Sequence, residues 1–534
     1  MPPTAPSEGP RLARAAGIAG AATITSRILG VVREQVLASM FGAGNAMDAF
    51  NVAFRIPNLM RDLFAEGAMS AAFVPTFTRE LTAHGKESAW RLGSVVLTAL
   101  VLITGLVALA GIVFATPLVT VLAGDYAAVP GKLALTVLLT RIMVPFLVLV
   151  TVAAALMGML NSLQWFFIPA LSPAMFNVGT IVCAVALAPV MPRVGLPPIA
   201  AIAIGTLVGG VGQIALQWPS LARQGFRYRP VIDFHSPGLR RVLLLMGPGT
   251  IGLAAIQVNL FVNTVLATGE GTGAVSWLQY AFRLMYLPIG LFGVSIATAT
   301  LPTVARHAAA GDRTGIRRTI ADGLSLTMML NVPATLGLIV LSTPIVRLIF
   351  ERGAFTSEDT TATAAALQFY AIGLVAYSVV RIISPVFYAM NDSRTPVAVG
   401  IVTMVVNVAL NLALVQVLGY RGLALGTSIA AVLNAVSLLV LLRSRLGGIE
   451  GARLGGAVVK IALATAGMAV TAISVNSALE NWLPGMSLTA QIVRLATTMG
   501  ASFAALAAIG LLLGIAEFRQ GVSFVAIRLG RNRR

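Results

Sequence analysis

Asp48, Asn51, Arg55, Asn58, Asp62, Glu66 and Ser70 follow one another at steps of three and four, the spacing that places side chains on one face of an α-helix. Arg61 lies on the flank of that face. At about 1.5 Å per residue the stripe is about 33 Å long, close to the thickness of a bilayer's hydrocarbon core. Turned toward lipid, each central charge would cost about 2.5–3.5 kcal/mol, so the stripe must face protein or water. Ser26, Arg27, Arg33 and Glu34 lie just upstream, and Arg283 stands in a similar apolar setting far downstream. Two chemistries fit. The arginines and acids can neutralise one another and tie helices together, or the arginines can hold an anion. Arg27, Arg33, Arg55, Arg61 and Arg283 face only Glu34, Asp48, Asp62 and Glu66, and no carboxylate lies on the segment around Arg283. The surplus of guanidinium groups favours the anion, because their planar fork matches phosphate oxygens bidentately. A phosphorylated amphiphile is the expected substrate.

The elements that must position these side chains are membrane helices. The 534 residues are 57% hydrophobic and only 10% charged, far from the usage of a soluble domain. Windows such as "VVLTALVLITGLVALAGIVFA" reach the roughly 20 apolar residues that a spanning helix needs, and the short alternating segments of a β-barrel are missing. The expected fold is an all-α polytopic membrane protein with fourteen spans, running from 15-41 and 47-77 to 455-476 and 488-516. An even number puts both termini on one side. Lys and Arg outside the spans concentrate in loops on that side, while the other holds only five, Lys132, Arg193, Arg347, Arg352 and Arg421. The positive-inside rule therefore predicts cytoplasmic termini. The net charge of +18 is mostly topological. Its scatter over short loops, with no DNA-binding motif, argues against nucleic acid as a partner. Cys183 is the single cysteine and lies in an apolar span, which excludes an intrachain disulfide and reads as inert packing. The N-terminal residues carry no convincing cleavable signal and are expected to be retained.

The chain repeats itself. "AFRIPNLMRDLF" from Ala53 matches "AFRLMYLPIGLF" from Ala281 at an offset of 228, "VPTFTR" from Val74 matches "LPTVAR" from Leu301 at 227, and Asn161 and Asn177 match Asn391 and Asn407 at 230. An offset of six spans relates two halves in the same orientation, about an axis along the membrane normal. The expected organisation is an N-lobe over 1-222 (spans 1-6), a C-lobe over 223-445 (spans 7-12), and 446-534 holding spans 13-14 and a basic tail. Paired bundles suggest a transporter with a central cavity.

"SRILGVVREQVLASMFGAG", "DAFNVAFRIPNLMRDLFAEGAMSAAFVPTF", "LIFERGAFTSEDTTATAAAL" and "FYAMNDSRTPV" resemble the signatures of the MurJ (MviN) family of lipid II flippases, within the multidrug/oligosaccharidyl-lipid/polysaccharide exporter superfamily. The resemblance covers nearly the whole chain. It implies outward flipping of an undecaprenyl-pyrophosphate-linked disaccharide-pentapeptide across the bacterial inner membrane by alternating access, with spans 13 and 14 forming a groove for the polyprenyl tail. By motif it assigns substrate-binding roles to Arg27, Arg33, Arg61 and Arg283, with Arg55 and Asp48 beside them; the stripe and the segment upstream of it add Ser26 and Glu66 to the candidate site. The chain departs from the pattern at Phe282 and Tyr286, where many relatives read Asp-Arg-Leu-Met-Glu around the last arginine, and at Asp62, where many carry a second basic residue. Expected partners are lipid II, membrane lipids and peptidoglycan-synthesis proteins; a monomer is the expected state, with no cofactor.

Asn263, Asn407, Asn411 and Thr427 resemble a C-lobe cation site of some superfamily members, but amides alone bind a monovalent cation weakly, and hydrogen bonding between helices is the favoured reading. Pro169, Pro173, Pro288 and Pro385 read as kinks. "ERGAFTSEDTT" reads as a cap with a Ser or Thr before Glu358 and Asp359, and "GEGTGA" at 269-274 as a tight turn, since it lacks the lysine and strand of a phosphate loop. An enzyme acting on the same lipid would need a nucleophile or metal cluster; His84, His235 and His307 fall in expected loops and no such cluster appears. A drug exporter of the superfamily would need an acidic or aromatic pocket, and an exporter of another polyprenyl-linked glycan would share the arginines.

Overall fold

The computed structural model describes residues 9–62, 69–485 and 487–515, and every regular element among them is helical. Glu66 lies outside the described residues. The first six helices are α1 (Gly9–Phe41), α2 (Asn45–Arg61), α3 (Met69–Val113), α4 (Ala115–Ala123), α5 (Lys132–Met143) and α6 (Phe146–Ser162). Then come α7 (Phe167–Leu187), α8 (Ala200–Arg223), α9 (Pro237–Thr268), α10 (Ala274–Pro288), α11 (Val294–Ala309), α12 (Arg313–Val340) and α13 (Ser342–Phe350). The chain closes with α14 (Ser357–Ala371), α15 (Leu374–Ala389), α16 (Arg394–Leu418), α17 (Tyr420–Leu446), α18 (Gly451–Trp482) and α19 (Leu488–Leu512).

Several long apolar segments are broken, each for a local reason. Gly85 takes φ 83° inside α3 and turns it sharply, a conformation that glycine adopts without steric cost. Pro145 separates α5 from α6. At Pro288, where the ring removes a backbone donor, α10 passes into a π-turn over Ile289–Gly293 before α11 resumes. Pro173 and Pro385, by contrast, are carried inside α7 and α15. The expected cap before Glu358 is a capping box: the Thr356 hydroxyl accepts from the Asp359 N–H, and the Asp359 carboxylate accepts from the Thr356 N–H.

Among the described residues ten helices are long and apolar enough to cross a membrane, or eleven if α14 and α15, bent by 42°, form one span. Their outward faces are apolar: Val402, Val405, Leu412 and Val417 of α16 are all exposed. A chain with this many apolar, laterally exposed helices is a multi-pass membrane protein.

The contacts divide into two compact units, residues 1–276 with 352–355, and 277–351 with 356–534. In the first, Phe73, Phe77, Leu156, Met159 and Phe226 pack a core between α3, α6 and the segment after α8. There α7 and α8 approach so closely that a Cβ on Gly179 would lie 2.5 Å from the Gly209 backbone nitrogen, the small-residue contact that substitutes for a hydrophobic drive between helices in lipid. Cys183 on α7 is buried in the same helix pair. In the second unit Ile320, Ile383, Phe387, Leu438 and Leu442 form the core. Because α9 packs with the first unit, the contact division falls after the start of α10. Repeats describe sequence correspondence and units describe packing, so the two boundaries need not coincide.

Candidate functional site

α2 carries the stripe from Asp48 to Asn58, with Asp62 just past its end, and the first unit supplies what these residues face. At its start Asp48, fully buried, accepts from Lys132 Nζ at 2.9 Å, from the Gly273 N–H at 2.7 Å, and from the Ser276 N–H and Oγ at 3.1 and 2.7 Å. Gly273 immediately precedes α10 and Ser276 lies in its first turn, where amide donors lack partners within the helix and the helix dipole favours a negative charge. Asp48 thus caps α10 from a different helix. Asn51 Nδ2 donates to Ser276 Oγ at 3.1 Å, and Thr272 Oγ1 to Asn45 Oδ1 at 2.9 Å. Asp48 and Ser276 are 228 residues apart, the repeat offset, so equivalent positions of the two repeats touch each other. The expected "GEGTGA" turn is present, with Gly271 and Gly273 at positive φ, and it delivers one of these donors.

Lys132 was expected in a loop. It is the first residue of α5, buried, with its ammonium 4.0 Å from the centre of the Tyr126 ring. A loop position would have left its charge in water; here the Asp48 carboxylate and the ring face compensate for burial.

Further along α2, Arg55 Nε donates to Thr264 Oγ1 at 3.2 Å. Arg61 forks onto Asp62 through Nε and Nη2 at 3.2 and 2.9 Å, and Asp62 also accepts from Gln257 Nε2 at 3.2 Å and Asn58 Nδ2 at 3.4 Å. Gln257 and Thr264 of α9 sit in a largely apolar stretch of sequence. Their signal was available: they are seven residues apart, as are Arg55 and Asp62, and the two pairs match when the helices run antiparallel.

α1 presents its arginines differently. Arg33 is buried, ion-paired with Glu34, its guanidinium 5.0 Å from the centre of the Phe176 ring. Arg27 is exposed, with no carboxylate partner among the described residues, and lines an open pocket of about 440 Å³ with Thr23, Ser26, Met157, Asn161, Phe166 and prolines of α7. Asn177 Nδ2 donates to the Ser26 carbonyl at 3.1 Å and ties α7 to α1 beside this pocket. The lining mixes Thr23, Ser26, Arg27 and Asn161 with apolar side chains, which suits a group where a charge joins a hydrocarbon.

In the second unit Arg283 is half-buried on α10. Phe282 and Tyr286 flank it, their rings stacked 5.9 Å apart, and Phe282 meets Tyr370 edge-on at 5.4 Å. Asn407 and Asn411 are buried one turn apart on α16, with Asn411 Nδ2 donating to Asn407 Oδ1 at 3.1 Å. Thr427 Oγ1 donates to the Leu423 carbonyl of its own helix, and Asn263 lies on α9 in the first unit. Among the described residues no three His, Cys, Asp or Glu side chains gather as metal ligands.

The family model described as lipid II flippase MurJ matches residues 37–493. A probable lipid II flippase MurJ of Vibrio cholerae is 38% identical over 436 residues, covering 79% of this chain and 81% of that protein. A lipid II flippase MurJ of Burkholderia cenocepacia is 36% identical over 427 residues, covering 79% and 82%. Among solved structures, a lipid II flippase MurJ in an inward closed conformation superposes with a TM-score of 0.74 at 26% identity, over 93% of this chain and 99% of that one. An inward-facing multidrug resistance MATE family transporter of the MOP superfamily superposes at 0.67 and 15% identity, over 80% and 96%, and shares the fold.

Proposed function

The chain belongs to the MurJ lipid II flippase family, and from that premise we propose that it carries lipid II from the cytoplasmic to the periplasmic leaflet of a bacterial inner membrane. The observation that carries this reading is the alignment with relatives named lipid II flippase over about four-fifths of both lengths. In the proposed arrangement α1, α2 and α9 join the eleven apolar spans to make fourteen, both termini lie in the cytoplasm, and two six-helix repeats alternate access to a cavity between them. α18 and α19 then form the groove for the polyprenyl tail.

The guanidinium groups of Arg27, Arg33, Arg61 and Arg283 bind the pyrophosphate, with Arg55, Asp48, Ser26 and Glu66 shaping the site. Arg27 offers an open fork beside an apolar wall, and Arg55, Arg61 and Arg283 are half-buried. Arg33, paired with Glu34, is the least accessible of the set. The neutral partners on α9 support the reading, since Gln257 and Thr264 hold the stripe in place without adding negative charge to it. Peptidoglycan-synthesis enzymes that make and consume lipid II are the partners this activity requires, and the carrier itself works as a monomer.

Depletion of the protein in its host tests the reading. Lipid II should accumulate in the cytoplasmic leaflet, and the purified protein in liposomes should restore its appearance outside. Accumulation of a different polyprenyl-linked glycan, with lipid II unchanged, would overturn it.

A further inference from the structure

We propose that Arg381 of α15 is a further anion-binding residue, positioned by Tyr286 of α10 and directed at the diphosphate of the transported lipid; the proposal rests on the substrate reading above.

Arg381 lies midway along α15 and is exposed. A guanidinium eight residues inside the end of a spanning helix is stable where it meets water, protein or the headgroup region. Its contact is aromatic. The guanidinium carbon sits 5.5 Å from the centre of the Tyr286 ring, and Nη2 donates to the Tyr286 hydroxyl. No carboxylate partners Arg381 among the described residues. A phenol orients a guanidinium by its face and its oxygen but leaves the positive charge intact, whereas a carboxylate would cancel it. Of the five N–H donors that a guanidinium carries, the tyrosine engages one.

The platform is itself fixed. Tyr286 stacks on Phe282, and Phe282 meets Tyr370 of α14, so three rings in a row hold the guanidinium against sliding. Arg283 lies three residues before Tyr286 on α10, on the same side of the helix. Two guanidinium groups on adjoining helices, one of them held by rings alone, make a site whose charge grows more favourable as the ligand carries more negative charge. That predicts discrimination of a diphosphate from a monophosphate on the same lipid. A purely structural stacking contact between α10 and α15 predicts no such discrimination.

The test measures binding of undecaprenyl pyrophosphate and undecaprenyl phosphate to the full chain in nanodiscs, with thermal stability read alongside. The wild-type protein should prefer the pyrophosphate. R381Q should lose at least about tenfold in pyrophosphate affinity, the scale of a lost charge-assisted hydrogen bond, with a smaller change for the monophosphate. Y286L, which leaves the arginine in place but removes both the ring and the hydroxyl that position it, should lower the preference in the same direction. Y286F, which keeps the ring and loses the hydroxyl, should give a fall of about threefold. If R381Q binds both lipids as wild type does while R283A loses the pyrophosphate, Arg381 is a stacking residue only and the substrate reading stands. If the wild-type protein shows no preference for the pyrophosphate, the substrate reading fails and this inference with it.

Discussion

Asp48 of α2 and Lys132 of α5, 84 residues apart in the chain, form an ion pair of 2.9 Å whose side chains are 0% and 2% exposed. A buried pair of this kind contributes little beyond a well-packed apolar one, but removing one partner strands the other, at about 3–5 kcal/mol. Asp48 also holds the first turn of α10, so the pair fixes where α2 and α10 meet.

K132M should therefore lower the thermal midpoint strongly, and D48N nearly as much, because an amide gives α10 no charge and Lys132 no counter-ion. The double variant should recover a large part of the loss, since contacting residues do not add. Additive losses in a double-mutant cycle would refute the pairing.

The arginines of α1 should separate by burial. R27A removes an exposed side chain, so stability should change by no more than about 0.5 kcal/mol while flipping is lost. R33A removes the buried ion-pair partner of Glu34 and the cation over the Phe176 ring, and should cost about 3 kcal/mol or more. Lys in place of Arg27, Arg61 or Arg283 keeps charge and loses the fork, so transport should fall substantially wherever the phosphate is gripped bidentately. Complementation and thermal unfolding of each variant, measured together, check this; equal stability losses for R27A and R33A would contradict it.

Q257A and T264V act on the stripe without touching its charges. Q257A removes a donor from Asp62, and T264V removes the acceptor of Arg55 Nε. Each should cost about 1 kcal/mol, the net worth of an ordinary hydrogen bond, and lower the transport rate while leaving charge-dependent lipid binding in place. A variant that folds and transports as wild type would show that α9 only fills space.

Transport should respond to voltage. A net negative charge leaving a negative cytoplasm gains about 2.3 kcal/mol per 100 mV, so collapsing the potential at constant sodium and proton gradients should slow flipping in liposomes. An unchanged rate would assign the drive elsewhere.

Outside the spans, Asp312 caps α12. The Gly315 N–H, followed by His307, holds its carboxyl below the usual range. A carboxyl lowered on folding stabilises above its unfolded pKa of about 3.9, and that stability is lost as pH falls through the folded value. D312N keeps a cap without the charge, so its thermal midpoint should fall less than that of wild type between pH 5 and pH 3. Parallel acid profiles would exclude this cap as the titrating group.

The periodicity of Asp48, Asn51, Arg55, Asn58 and Asp62 by itself determined that α2 has a polar face, and the apolar windows determined that it sits among membrane helices. Hydropathy and side-chain period are local properties, and a chain carries them in its order of residues. The family, too, was legible, because short motifs around Arg27, Arg55 and Asn391 survive in sequence. Partners were not. Lys132 read as a loop charge because nothing adjacent to it in sequence says that Asp48 will be 2.9 Å away, and Gln257 and Thr264 read as incidental polarity in an apolar span. Only tertiary structure decided that Arg33 is buried against Glu34 and Phe176 while Arg27, six residues earlier on the same helix, opens into a pocket. The physical reason is that a charge's environment depends on which distant helices pack around it. The spacing within α1 and α2 fixes which side chains share a face; α5, α7, α9 and the first turn of α10 decide which of them are neutralised and which stay open.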